Sequence, residues 1–302
     1  MQQTNRESYF DFLRGIAIFF VVGIHCYLDD VYHVNLAIRQ LLNCAVPLFL
    51  ALSGYFIGQK DFSKKNSFKN FFRKQFIRVY VPMILWSIPW VLLSIKNAEF
   101  SAGRIFFVFI GGISVFYFIP LIIQCYAITP VIQKFGSKLF GLYIFVTFIG
   151  VCLFVYLQHV LNLNLPMIFS GGPIFMWLVF YAFGVLKGRS LLNDVCGTKL
   201  LVAISLCLVL NIVEIKFLSQ WGHTVHGIKI SAQAYSLFLI MLLFSKGVQK
   251  KYRQIEKSIL SILFSLAGRF SFVIYLSHCL VITIYTKFYF IVEKPFFSTY
   301  GI

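Results

Sequence analysis

Two ionisable side chains stand eleven residues apart in the first apolar segment, FDFLRGIAIFFVVGIHCY: Arg14 and His25. An α-helix advances about 100° and 1.5 Å per residue, so eleven steps return to within roughly 20° of the starting face, about 16 Å further along. One stripe of one helix then carries both, with little but hydrocarbon between them. An ionisable group in lipid costs roughly 2.5 kcal/mol or more unless it faces a partner or a wet cavity. The pair therefore reads as functional, with the imidazole suited to general-base work. Asp11 precedes Arg14 by three residues and can hold its guanidinium. Asp29 follows His25 by four, a spacing that lets its carboxylate fix the tautomer and leave the other ring nitrogen free as a base. Equally, Asp29 and Asp30 can mark the helix exit into water.

Two more polar clusters interrupt apolar sequence. In RKQFIRVYVP, Arg73, Lys74 and Arg78 either snorkel to lipid phosphates or clamp the phosphates of a nucleotide-type donor. In GRFSFVIYLSH, Ser271, Tyr275 and His278 fall at i, i+4 and i+7 on one helical face, with Arg269 at its mouth. Such a stripe faces protein or water, and hydroxyls in it commonly glue helices; His278 is the member suited to chemistry. VPLFLALSGYFI (46–57) offers Pro47 as a kink and Ser53-Gly54-Tyr55 as a point of close backbone approach. Asn211 and Glu214 lie near the outer end of a later segment, where either could meet an extracytoplasmic substrate, or Glu214 could simply be solvated.

The elements that must position these residues are membrane helices. The chain has 302 residues, 59% hydrophobic and 12% charged, with 36 Phe; a soluble domain carries roughly 25% charged residues. Apolar runs of about 20 residues match a hydrocarbon core. They fall near 12–28, 37–57, 77–95, 105–132, 139–158, 173–187, 200–217, 231–246 and 268–291. The expectation is an all-α, polytopic integral membrane bundle of nine to ten transmembrane helices. The fourth run holds Gly111, Gly112 and Pro120 and is expected to break into a re-entrant piece and a span. The longest loops, 59–76 and 247–258, leave no room for an appended soluble domain, so 1–302 reads as one transmembrane domain. No cleavable leader is apparent.

The net charge of +17 is topological rather than a nucleic-acid signal. With a cytoplasmic N-terminus, 20 of the Lys and Arg residues fall inside and 7 outside, as the positive-inside rule requires. Contact with anionic membrane lipid, or with a phosphorylated ligand on that face, follows from the same excess. The seven cysteines show no paired spacing and read as packing residues. His223 and His226 form a bare HxxH without a third ligand, so no metal is expected.

Taken together, these segments resemble the acyltransferase-3 family of membrane acyltransferases over almost the whole chain. FDFLRGIAIFFVVGIH is similar to its first helix, with the Arg-x10-His signature at Arg14 and His25. VPLFLALSGYFI resembles its VPLFF-LSGY segment, and RKQFIRVYVPMILW its basic third-helix start. FYFIPLIIQCYAITPVI resembles the aromatic stretch ending in Tyr-x-x-x-Pro, here Tyr126 and Pro130, although Phe118 stands where a Trp is common. FMWLVFYAFGVLKGR and GRFSFVIYLSH resemble later helices. The family's Arg-x-x-Arg maps onto Gln75 and Arg78, so its first arginine is missing, with Arg73 and Lys74 beside it.

The resemblance implies transfer of an acetyl or similar group from cytoplasmic acyl-CoA to a carbohydrate hydroxyl, with no permanently bound cofactor. It implies a bacterial-type inner or plasma membrane and surface polysaccharide as acceptor. Some relatives carry a fused hydrolase-like domain; none is expected here. In this reading His25, Arg14 and Asp29 are catalytic, and Arg73, Lys74, Arg78 and Arg269 hold the donor. Asp11, Ser53, Tyr55, Ser271, Tyr275 and His278 line the substrate pocket. The rival is a multi-pass exporter of a glycan or lipid-linked sugar that uses the same stripes without acyl-transfer chemistry.

Overall fold

A computed structural model describes residues 8–26, 33–64, 66–96, 101–163, 165–219 and 227–289, and every structural statement below concerns these. Among them the regular structure is helical throughout. The chain opens with α1 (Ser8–Cys26), α2 (His33–Leu42), α3 (Ala45–Gly58) and α4 (Ser67–Lys96). Next come α5 (Ala102–Ile110), α6 (Phe118–Phe135), α7 (Phe140–Val155) and the single turn α8 (Met167–Ser170). It closes with α9 (Leu178–Gly188), α10 (Gly197–Ser219), α11 (Ile230–Leu243), α12 (Lys246–Ile255), α13 (Ile259–Arg269) and α14 (Ser271–Tyr289).

Five helical stretches are long and apolar enough to cross a membrane: Ser8–Cys26, Ile38–Gly58, Ser67–Lys96, Val115–Val160 and Gly197–Ser219. The number rises to seven if each of two bent pairs, α11 with α12 (66°) and α13 with α14 (83°), forms one span. Val115–Val160 folds back on itself. Thr129 and Gln124 of α6 bond Tyr181 and Gly172 in parallel order, whereas Thr147 and Gly150 of α7 meet Val179 and Phe175 in antiparallel order. Large apolar side chains face outward, Val202 at 70% and Ile259 at 77% exposure among them. Such a surface suits lipid, not water.

Small residues let the central helices touch backbone to backbone. Gly54 and Gly58 of α3 interleave with Gly184 and Gly188 of α9, where a Cβ would run into the Tyr181, Val185, Ala51 and Tyr55 carbonyls. The same device joins α1 to α13: Gly15 lies against the Phe264 carbonyl and Gly268 against that of Asp11. Without a hydrophobic drive between helices in lipid, this close approach supplies the dispersion contact that holds them. It fixes α1 between α3 and α13.

The break expected in the fourth apolar run is present. Gly111 takes a left-handed φ of +74° and ends α5, and α6 begins at Phe118. Three sequence expectations need correction. Pro47 does not kink a helix; it sits in the first turn of α3, where its missing N–H costs little, and the break lies just before it at Asn43–Cys44. The 247–258 segment is not a loop but the amphipathic α12, capped by Ser245 accepting from Val248 N–H. Tyr252 anchors it, with its ring 5.0 Å from Tyr9 and 4.9 Å from Phe12. Glu214 is not simply solvated: its carboxylate accepts from the N–H groups of Ile230 (3.1 Å) and Ser231 (2.9 Å) and from the Ser231 hydroxyl, capping α11 from α10.

Candidate functional site

The site is built along α1. Its first turns, the last turn of α3, the start of α4 and α12 form one end of the bundle, called the basic end here. Arg14 projects into the interior there. Its Nη1 donates to Asp11 Oδ1 at 2.9 Å, and its guanidinium carbon lies 4.5 Å from the Phe56 ring centroid. Asp11 is 1% exposed, and its second oxygen faces Arg269 Nε at 3.6 Å. One buried carboxylate thus holds two guanidiniums, Arg14 at 22% and Arg269 at 57% exposure. Arg78 and Arg14 both lie within electrostatic reach of the buried Tyr126 hydroxyl, so α1, α4 and α6 converge on one basic mouth. Arg73 and Lys74 are exposed on the turn of α4 before it.

At the other end of α1 the half-buried His25 meets α14. Its ring centroid lies 5.1 Å from that of the buried His278. His278 Nδ1 is 2.7 Å from the Tyr275 carbonyl, which can only accept, so the proton is on Nδ1. Nε2 is thereby left as a lone pair, 3.4 Å from Cys279 Sγ. The ligand atoms of His25, His278 and Cys279 all lie within 4.8 Å of one another. Two imidazoles and a thiol can exchange protons, and the trio could also hold a soft divalent cation with a fourth position open.

The remaining expected residues divide. Ser271, Tyr275 and His278 are all buried in the bundle, yet the Tyr275 hydroxyl donates to the Val115 carbonyl at 2.5 Å and so clasps the turn before α6. The Tyr55 ring centroid lies 4.4 Å from that of Phe10, and Ser53 is half-buried on the same helix. Asp29, His223 and His226 lie outside the described residues. Cys279 escaped sequence reading because it is one apolar-looking residue beside a histidine. Gln40, Lys229 and Gln233, also buried, lie in short polar interruptions that carry no motif. A cleft of about 530 Å³ near Gln59, Gln133 and Arg189 holds none of the residues expected from sequence.

The family model described as an acyltransferase domain matches residues 7–301, essentially the whole chain. The chain belongs to the acyltransferase-3 family. Within this acyltransferase-3 protein, the anchored Arg14 and the His25–His278 pair sit at opposite ends of one helix. A family of membrane acyltransferases implies an acyl donor and an acceptor, and the long apolar helices fit a membrane protein. No curated protein and no solved structure gives a significant match.

Proposed function

We propose that this protein is a membrane O-acetyltransferase. It moves an acetyl or other small acyl group from cytoplasmic acyl-CoA to a hydroxyl of a cell-surface polysaccharide or its lipid-linked precursor. The observation that carries the reading is α1 itself: a guanidinium anchored by a buried carboxylate at the basic end, and an imidazole against a second imidazole about 16 Å further on. The positive-inside rule makes the basic end cytoplasmic, in an inner or plasma membrane. Counting the α6–α7 hairpin as two crossings and α9 as one gives nine, in a single domain over 1–302.

Arg14, Arg78 and Arg269 hold the donor's phosphates, with Arg73 and Lys74 guiding it from the exposed turn. The pantetheine arm runs inward beside α1, between Tyr55 and the Ser271–Tyr275 face, toward His25. His25 takes the proton of the acceptor hydroxyl as its oxygen attacks the thioester carbonyl. The tetrahedral intermediate collapses, the C–S bond breaks, and the thiolate collects the proton from His25. The products are an ester and free CoA. His278, with its proton fixed on Nδ1, presents a lone pair to this site and can share the proton. Asp29 orients His25 in this scheme.

His25→Ala, with ordinary membrane insertion, is expected to abolish incorporation of labelled acetyl from acetyl-CoA into envelope glycan by membrane vesicles. Full incorporation in that variant refutes the proposal. Loss of glycan export with undiminished acetyl content per glycan would favour the exporter instead.

A further inference from the structure

Three buried amides near the far end of the bundle carry polar atoms without partners. Gln40 of α2 is 2% exposed, Asn211 of α10 0% and Gln233 of α11 3%. The unpaired atoms are Gln40 Nε2, both polar atoms of Asn211, and Gln233 Oε1. Reversing the Gln40 amide does not cure it. Its Oε1 accepts from Lys229 Nζ at 2.6 Å and from Asn43 Nδ2 at 2.9 Å, so a flip would set NH₂ against two donors. The groups are neighbours. Lys229 and Gln233 lie four residues apart, on one face at the start of α11. Asn211 lies one turn from Glu214, which caps that same helix end.

Native interiors pair nearly all buried polar groups, so a concentration of orphans marks a place meant for something else. The position is specific. Leu42, two residues from Gln40, is the side chain that a Cβ on Gly23 would meet at 3.2 Å, and Gly23 is two residues from His25. Arg39 lies within electrostatic reach of both His25 and Lys229. The cluster is therefore on the His25 side of the bundle, away from the basic mouth. Neutral amides offering both donors and acceptors match a polyhydroxylated ligand, since each sugar hydroxyl donates once and accepts twice.

We propose that Gln40, Asn211 and Gln233 form a hydroxyl-reading subsite for the carbohydrate acceptor, beside His25 and separate from the donor mouth. This rests on the acyl-transfer reading for the ligand's role, but not for its binding. The test uses the full chain in lipid nanodiscs, the Gln40→Met, Asn211→Leu and Gln233→Met variants, and envelope polysaccharide extracted from the expression host as probe. Without acyl donor, the polysaccharide is expected to raise the unfolding temperature of the unsubstituted protein and not of the variants. With acetyl-CoA, the variants' KM for polysaccharide rises about tenfold or more while kcat stays within threefold and the Kd for acetyl-CoA is unchanged.

Asn211→Leu and Gln233→Met remove orphan polar atoms, so folding is preserved or improved; Gln40→Met also withdraws the acceptor of Lys229 Nζ, so each variant's shift is read against its own unfolding temperature without polysaccharide. If polysaccharide stabilises no form, or all forms alike, the subsite is refuted and the amides merely hold trapped water. If only the unsubstituted protein is stabilised yet it transfers no acyl group, the subsite stands and the acyltransferase reading falls.

Discussion

Asp11 holds Arg14 and Arg269 at once, and the geometry predicts which bond matters. Its contact with Arg14 is a 2.9 Å charge-assisted hydrogen bond from an acid 1% exposed to a guanidinium 22% exposed. Such bonds contribute about 1.5–3 kcal/mol, and little solvent screens this one. Arg269 approaches at 3.6 Å and is 57% exposed, which puts that pair at about 0.2–1 kcal/mol. If Asp11 acts by positioning Arg14, Asp11→Ala should lower kcat/KM for acetyl-CoA by about 2 kcal/mol, roughly thirtyfold. Arg269→Lys, which keeps a charge for the donor but gives up the guanidinium's approach to Asp11, should cost about threefold or less.

Because the two residues act as a unit, the Asp11→Ala/Arg14→Ala double variant should be little worse than Arg14→Ala alone, leaving a coupling of about 2 kcal/mol in the cycle. Asp11→Asn keeps an acceptor oxygen without the charge and should fall between. The assay is acetyl transfer to envelope glycan by membrane vesicles, normalised to folded protein measured by thermal unfolding. Strict additivity, or a larger loss from Arg269→Lys than from Asp11→Ala, would refute the reasoning.

Other outcomes follow from packing and protonation. Gly184→Leu forces α9 off the Ala51 carbonyl and should destabilise the bundle by about 1–3 kcal/mol, read as a fall in unfolding temperature in detergent. Zinc added to membranes should inhibit acyl transfer reversibly to chelator by capping His25, and Cys279→Ala should weaken that inhibition; identical inhibition in the variant would remove the trio as the site. Partial burial pushes the Asp194 carboxyl up, but bonds from the Lys187 ammonium and the Lys246 N–H outweigh it and hold the group below its ordinary value. A depressed carboxyl stabilises the fold above its unfolded value and loses that contribution as pH falls through the folded one. The stability deficit of Asp194→Asn should thus be full at pH 7 and shrink as acid protonates the native carboxyl, read by thermal unfolding across an acidic pH series.

The family was legible in the sequence because its signals are local: the Arg14–His25 spacing and the VPLFLALSGYFI segment resemble family motifs as contiguous stretches, and the long apolar runs need only helical geometry and bilayer thickness to read as membrane helices. The break at Gly111 was legible for the same reason, since a glycine readily takes the left-handed cap that ends a helix, and Pro120 then falls in the first turn of the next. Amphipathic α12 was not, because its ten residues carry only Val248, Tyr252 and Ile255 as large apolar side chains among basic and polar ones. Periodicity says which face of a helix is polar, never which helix will meet that face. Only tertiary packing decided that Asp11 serves two arginines and that His25 meets His278 and Cys279. It also left polar atoms of the Gln40, Asn211 and Gln233 amides buried without partners. Those contacts join residues from opposite ends of the chain, and they are set by glycine-lined backbone approach, which no stretch of sequence specifies alone.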